Sequence, residues 1–247
     1  MILNLLILII SLFLLIKGAT LATKYAVGVA ESFNISKYIV GFIVIAVISI
    51  LPETLVSINS AIEGTPSFGL GTLFGSNVAD LTLIFVIVVF ITKRSIKVES
   101  KILKNNIIYP FILLIPIILG LDGFYSRVDG IILIIIGCIF YFLAIRSGMG
   151  EKTNLVIKGG RYKNAFYLLI SMIILLSGSH FVVTSATNLA QFLKINYIIV
   201  GMFIVGLGTT IPELLFAIKS VQKNDDSLAV GDILGTVLAD ATIVVGI

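Results

Sequence analysis

Residues 18–80 recur at 178–240, at an offset of 160 with no gap in the alignment. Gly18 falls on Gly178, Ala26 on Ala186, Ala30 on Ala190, Ile35 on Ile195 and Gly41 on Gly201. Pro52-Glu53 falls on Pro212-Glu213 and Ser60 on Ser220. Gly71, Gly75, Ala79 and Asp80 fall on Gly231, Gly235, Ala239 and Asp240. Each Pro-Glu lies inside an apolar run long enough to cross a bilayer, and each Asp follows a Gly-rich entry into the next run. A fold for this chain must therefore place two copies of one unit around acidic residues at membrane depth.

The apolar runs themselves set the class. The 247 residues are 58% hydrophobic and 12% charged, with a mean hydropathy of +1.16, whereas a soluble domain carries about 25% charged residues. Windows of about 20 apolar residues mark spanning helices. They fall at about 3–29, 38–62, 69–92, 105–120, 128–146, 163–190 and 197–220, with an eighth beginning near 227. The expected class is an all-α polytopic membrane protein with about eight transmembrane helices. Its organisation reads as a first half over 1–146, a basic loop over 147–162 and a second half over 163–247, three helices long. The N-terminal run MILNLLILIISLFLLIKG has no basic residue before it, unlike a secretory signal, and it belongs to the repeat. The lone Cys138 excludes an internal disulfide or a cysteine cluster and reads as a small packing residue in an apolar helix. His180, the lone histidine, reads as a packing or hydrogen-bonding residue.

Lys93, Arg94, Lys97, Lys101 and Lys104 follow the third helix, and Arg146, Lys152, Lys158, Arg161 and Lys163 follow the fifth. The two loops, 93–104 and 146–163, share one side of the membrane. The positive-inside rule puts them in the cytoplasm and the N-terminus outside. A cell-membrane location is expected, with lipid as the surrounding partner and no nucleic acid. Five helices separate each residue from its repeat partner, and an odd number gives the copies opposite orientations. That is the inverted-repeat arrangement of secondary transporters, whose sites lie near the midplane between the copies. One chain suffices in principle to build such a site.

The chemistry expected there is that of hard oxygen ligands. Pro52 and Pro212 each remove a backbone donor and interrupt their helix, leaving carbonyls of residues 46–49 and 206–209 free to face inward. Irregular backbone is tolerated at membrane depth where it is buried in protein or lines a polar cavity. Ser76 and Asp80 share a helix face at i, i+4, as do Thr236 and Asp240. One ionised Asp at a helix centre costs about 2.5–3.5 kcal/mol on the insertion scale, so four carboxylates cost on the order of 10 kcal/mol uncompensated. No Lys or Arg lies near them in the apolar runs, so bound cations or protons must compensate. Carboxylates, hydroxyls and carbonyls are the ligands Ca²⁺ collects in groups of about 6–8.

GFIVIAVISILPETLVSINSA with GTLFGSNVAD, and GMFIVGLGTTIPELLFAIKS with GDILGTVLAD, resemble the two α-repeats of the sodium/calcium exchanger family, prokaryotic type, in the cation/calcium antiporter superfamily. The resemblance spans almost the whole chain. It implies alternating access, with Na⁺ and Ca²⁺ competing for one acidic cluster while two outer helices slide past a core. It implies that Glu53, Glu213 and Asp240 bind Ca²⁺ and share Na⁺. Thr209 and Ser49 would add ligands from the kinked helices, and Ser76 and Thr236 would add hydroxyls to Na⁺ sites. No cofactor is implied; Ca²⁺ and Na⁺ are cargo.

The chain departs from the family at three places. Ile50 stands where the second copy has Thr210, and it offers no side-chain oxygen. Asp80 stands where many sodium/calcium exchangers have Asn, so it could hold a further cation or carry H⁺. The family usually has ten helices, and this chain ends in its eighth. Asp232 also replaces a position that is commonly an amide, with no role assigned. The leading expectation is Ca²⁺/Na⁺ antiport. Ca²⁺/H⁺ exchange and a remnant that binds Ca²⁺ without transporting it are the alternatives. An intramembrane aspartyl protease would need a Tyr-Asp partner for Gly231-Asp232, and the chain has none.

Overall fold

The computed structural model describes residues 2–31, 46–96, 109–148, 160–224 and 226–247. Gly41, the start of the second apolar run and much of both basic loops lie outside the described residues. Every regular element described is helical. Helix α1 is Ile2–Glu31. Helix α2 comprises Ala46–Ser49 and Leu51–Ile62, interrupted at Ile50. Helix α3 runs Pro66–Ala79, passes a π turn at Asp80–Ile84 and continues as Phe85–Thr92. Helices α4 (Tyr109–Leu119), α5 (Arg127–Gly148) and α6 (Arg161–Leu193) follow. Helix α7 comprises Tyr197–Val200, a π turn Gly201–Gly206, Leu207–Thr209 and Ile211–Gln222. Helix α8 is Asp226–Ala239, ending in a π turn at Asp240–Val244.

Eight crossing segments are expected from the apolar windows. Among the described residues four stretches are long and apolar enough to cross: Ile2–Ala22, Pro66–Thr92, Tyr162–Leu193 and Tyr197–Gln222. Helix α2 falls short because its first part lies outside the description, and α4 is a shorter apolar helix. Large apolar side chains face outward along the rods, among them Ile9 and Phe13 on α1, Val86 and Phe90 on α3, Ile135 and Phe142 on α5, and Ile173 on α6. Exposed apolar surface this continuous is a lipid-facing surface. Cys138 is exposed on α5, which corrects its reading as a packing residue. An apolar helix meets lipid and core with the same residue types, so composition did not distinguish its faces. His180 is also exposed, with Nδ1 3.6 Å from Glu63 Oε1 across the α2–α6 contact.

Two assemblies make up the bundle. Helices α1 and α6 pack along each other over their length. A Cβ on Gly18 would stand 3.1 Å from Leu175 Cγ, and one on Gly178 would stand 3.1 Å from the Leu15 nitrogen. These contacts exchange under the 160-residue offset, as contacts around a two-fold axis must. Helices α2, α3, α7 and α8 form the core, flanked by α4 and α5. Two buried hydroxyls pin α8 from that flank: Tyr109 Oη donates to the Leu234 carbonyl and Tyr141 Oη to that of Gly235, both at 2.7 Å.

Local sequence explains where the rods begin and end. Ser126 and Asp129 form a reciprocal capping pair at the start of α5: the Ser126 N–H donates to Asp129 Oδ2 at 2.8 Å, and the Asp129 N–H donates to Ser126 Oγ at 3.3 Å. Asn196 caps α7 by accepting from the Ile198 N–H at 3.1 Å. Beyond α3, Arg94 donates to both carboxylate oxygens of Asp226 and to the Val221 carbonyl, so one side chain ties the end of α7 to the start of α8. Bidentate pairing of this kind fixes geometry as well as charge. Replacing Arg94 with Ala is expected to lower the melting temperature of purified protein by a few degrees. An unchanged melting curve would show that the α7–α8 turn holds without the pair.

Candidate functional site

The two Pro-Glu segments adopt the same geometry. Ile50 lies at φ −71°, ψ −8° and Thr210 at φ −69°, ψ −15°, near the bridge region seen at turns and active sites. Pro52 and Pro212 then occupy the first turn of the continuing half-helix, where their missing N–H costs nothing inside that half. The i−4 carbonyls that their N–H groups would have engaged belong to Ile48 and Gly208. Glu53 and Glu213 stand in those first turns, where unpaired N–H groups and the helix dipole favour a negative charge. Both are buried.

The second acidic pair comes with a feature that sequence reasoning missed. Asp80 opens the π turn of α3 and Asp240 the π turn of α8, again 160 residues apart. A π turn inserts one residue into the helical ladder and is frequent at functional sites. Neither ADLTLI nor ADATIV carries a Gly or Pro that would have signalled it. Small residues bring the crossing helices together. A Cβ on Gly71 would stand 2.3 Å from the Ile198 carbonyl oxygen and one on Gly75 2.3 Å from that of Met202. Backbone approach this close needs small residues at the interface.

Glu53, Asp80, Glu213 and Asp240 are each at most 1% exposed, as are Ser76, Thr209 and Thr236; Ser49 is 3% exposed. All eight expected site residues thus lie in the core of the bundle. Ser76 Oγ reaches Asp240 Oδ2 at 3.4 Å across the repeat. The corresponding Thr236–Asp80 bond is not made, and Thr236 Oγ1 and Asp80 Oδ1 have no partner. Thr209 Oγ1 donates to the Gly206 carbonyl at 3.1 Å and stands beside Glu53. Both Glu213 oxygens, Glu53 Oε2 and Asp240 Oδ1 are also unpartnered. Glu53 acts electrostatically on Asp80, Glu213 and Asp240.

A fifth acid joins them. Asp232 on α8 is fully buried, accepts a hydrogen bond from Ser49 Oγ at 3.2 Å, and leaves Oδ2 unpartnered. Its substitution for an amide was the one signal in the sequence. Among the described residues, no three His, Cys, Asp or Glu side chains converge closely enough to hold a metal ion by themselves.

Residues 3–146 and 163–247 match the family described as sodium/calcium exchanger protein. The chain belongs to the sodium/calcium exchanger family. Within it, the chain is similar to the inner membrane protein YrbG of Escherichia coli, 29% identical over 255 residues, covering 97% of this chain and 77% of YrbG. Among solved structures it resembles the sodium-calcium exchanger NCX_Mj, with 26% identity and a TM-score of 0.68, covering 100% of this chain and 82% of that one. It also superposes on the H⁺/Ca²⁺ exchanger CAX with a TM-score of 0.77 at 17% identity, covering 98% of this chain and 66% of that one; that likeness is one of fold. The inverted-repeat transporter fold read from the 160-residue offset is thus the exchanger fold, in a multi-pass membrane protein.

Proposed function

We propose that this protein is a secondary-active antiporter that moves Ca²⁺ in exchange for Na⁺, by alternating access to the cluster of Glu53, Glu213, Asp80 and Asp240. One observation carries the proposal. Carboxylates from both halves of an inverted repeat meet in the buried core with oxygens unpartnered, and among the described residues no Lys or Arg pairs with them. Such a cluster is compensated by cations from outside the protein. Drawn closer together than they stand here, Glu53, Glu213 and Asp240 would supply carboxylate oxygens to Ca²⁺ and, in the alternate state, to Na⁺. Ser49, Thr209, Ser76 and Thr236 would supply hydroxyls, and the Ile48 and Gly208 carbonyls would complete the shell. The α1–α6 pair, joined through small residues, would slide against the core to change which side has access. Excess Lys and Arg in the sequence of the two basic loops supports a cytoplasmic side for these and an N-terminus outside the cell membrane. The cluster is built from one chain, so a monomer suffices for it.

Counter-ion dependence of ⁴⁵Ca²⁺ uptake by proteoliposomes tests the proposal. An outward Na⁺ gradient is expected to drive uptake at least tenfold faster than an equal K⁺ gradient, and a pH gradient alone is expected to drive none. A second reading, Ca²⁺/H⁺ exchange, is favoured by Asp80 in place of an amide and by Ile50 in place of a hydroxyl. Uptake that follows the pH gradient and ignores Na⁺ would replace the first reading with the second.

A further inference from the structure

Polar side chains join α2 of the core to α6 of the outer pair. Asn59 Nδ2 donates to Ser179 Oγ at 2.8 Å. One turn further along α2, Glu63 Oε1 accepts from Thr184 Oγ1 at 2.8 Å and stands 3.6 Å from His180 Nδ1. Glu63 lies in the short turn between α2 and α3. The repeat supplies an internal comparison, because the second part of α7 meets α1 as α2 meets α6. Asn59 and Glu63 fall on Lys219 and Lys223, and Ser179, His180 and Thr184 fall on Ala19, Thr20 and Lys24. In that seam Thr20 spends its hydroxyl on the Ile16 carbonyl of its own helix, at 2.8 Å. Lys24 and Lys223 put like charges where the first seam has a hydroxyl and a carboxylate.

His180 is the lone histidine of the chain, and histidine changes charge between about pH 5 and 8. At 3.6 Å a neutral imidazole makes no hydrogen bond to the carboxylate, whereas an imidazolium there forms an ion pair. The two side chains are 58% and 26% exposed, so protons reach them from solution. Of the elements packed on α6, α2 presents Glu63 to the ring. On α1, Lys17 and Lys24 are exposed and lie over rings of their own helix, Phe13 and Tyr25, and Tyr25 stacks on Tyr167. At the start of α7, Tyr197 packs against the apolar cluster that holds Leu189 and Val200.

Resting on the antiport reading above, we propose that His180 and Glu63 form a proton-sensitive latch between the moving α1–α6 pair and the core, tightened by acid. On the proposed orientation the latch faces outward. Sliding α6 by one helical turn carries its side chains about 5.4 Å, beyond the reach of all three contacts. The Ser179, His180 and Thr184 contacts thus belong to one position of the slide, and a proton on His180 favours that position. Exposed ion pairs shift an equilibrium by at most about fivefold, so the latch tunes the slide and does not lock it.

The test is the distance between spin labels on Phe124→Cys, in the α4–α5 turn, and Phe192→Cys, near the end of α6, in Cys138→Ser protein reconstituted in lipid. Pulsed electron paramagnetic resonance reads the populations of the slide positions. Each variant is compared with this labelled background at the same pH, so titration elsewhere cancels. At about pH 5.5, His180→Gln is expected to lower the population of the latched position at least twofold. Glu63→Gln is expected to do the same, and the double variant no more than either alone. At about pH 8, His180→Gln is expected to match the background. A match at both pH values, or an equal loss at both, refutes the proton-sensitive latch while the antiport reading stands. If His180→Gln does not fold, an unshifted population in Glu63→Gln at the lower pH refutes it. A background protein that keeps one distance with Na⁺, with Ca²⁺ and with neither overturns alternating access itself, and the latch with it.

Discussion

Replacing Glu213 with Gln is expected to abolish Ca²⁺ transport, with ⁴⁵Ca²⁺ uptake under an outward Na⁺ gradient falling to that of empty liposomes. The substitution keeps the volume of the side chain and removes one charge from a group whose two oxygens have no protein partner. Two unit charges about 4 Å apart interact by about 4 kcal/mol at the effective dielectric of a protein. A loss of that size weakens binding on the order of a thousandfold. The helix N-terminus that favours the carboxylate offers the neutral amide less, so no compensating gain is expected. Glu53→Gln should behave alike, since Glu53 occupies the same place in the other half-helix. Uptake above about a tenth of the native rate in Glu213→Gln would count decisively against a central carboxylate cluster.

Replacing Gly75 with Ala is expected to destabilise the folded protein at the α3–α7 crossing. The new Cβ would meet the Met202 carbonyl oxygen at 2.3 Å and the Met202 Cα at 2.8 Å. Both are backbone atoms, so relief requires the helices to separate. Overpacking of this kind costs about 1–3 kcal/mol, and separation would also displace Ser76 and Asp80, which follow on the same helix. Melting curves of purified protein check this, with Gly160→Ala as the control. Gly160 has open space at its Cβ position and a negative φ. Equal melting temperatures for the two variants would show that the crossing is looser than its geometry.

How much of this was legible in the residues can be judged element by element. The Pro-Glu interruptions and the Gly-lined crossings were legible because Pro and Gly act through the backbone, wherever the chain goes next. The opposed orientation of the halves followed from counting helices. The π turns at Asp80 and Asp240 were not legible, because an inserted residue in an apolar helix changes no residue type. The Ser49–Asp232 bond joins residues 183 positions apart, and only the packing of α8 against α2 brings them together. The exposure of Cys138 was missed because a helix that is apolar all round carries no record of which side meets lipid.

The exchanged pair of contacts between α1 and α6, Gly18 with Leu175 and Leu15 with Gly178, has an energetic corollary. A bearing built from two like surfaces looks the same from either face of the membrane. In the proposed cycle, sliding it one way or the other would cost about the same at these contacts, so they would set no resting direction. In the proposed alternating-access cycle, bias between inward-facing and outward-facing forms would come from places where the halves differ, Ile50 against Thr210 and Asp232 against Thr72 among them. Exchanging residues between those positions would shift the resting conformation while leaving the sliding surface untouched.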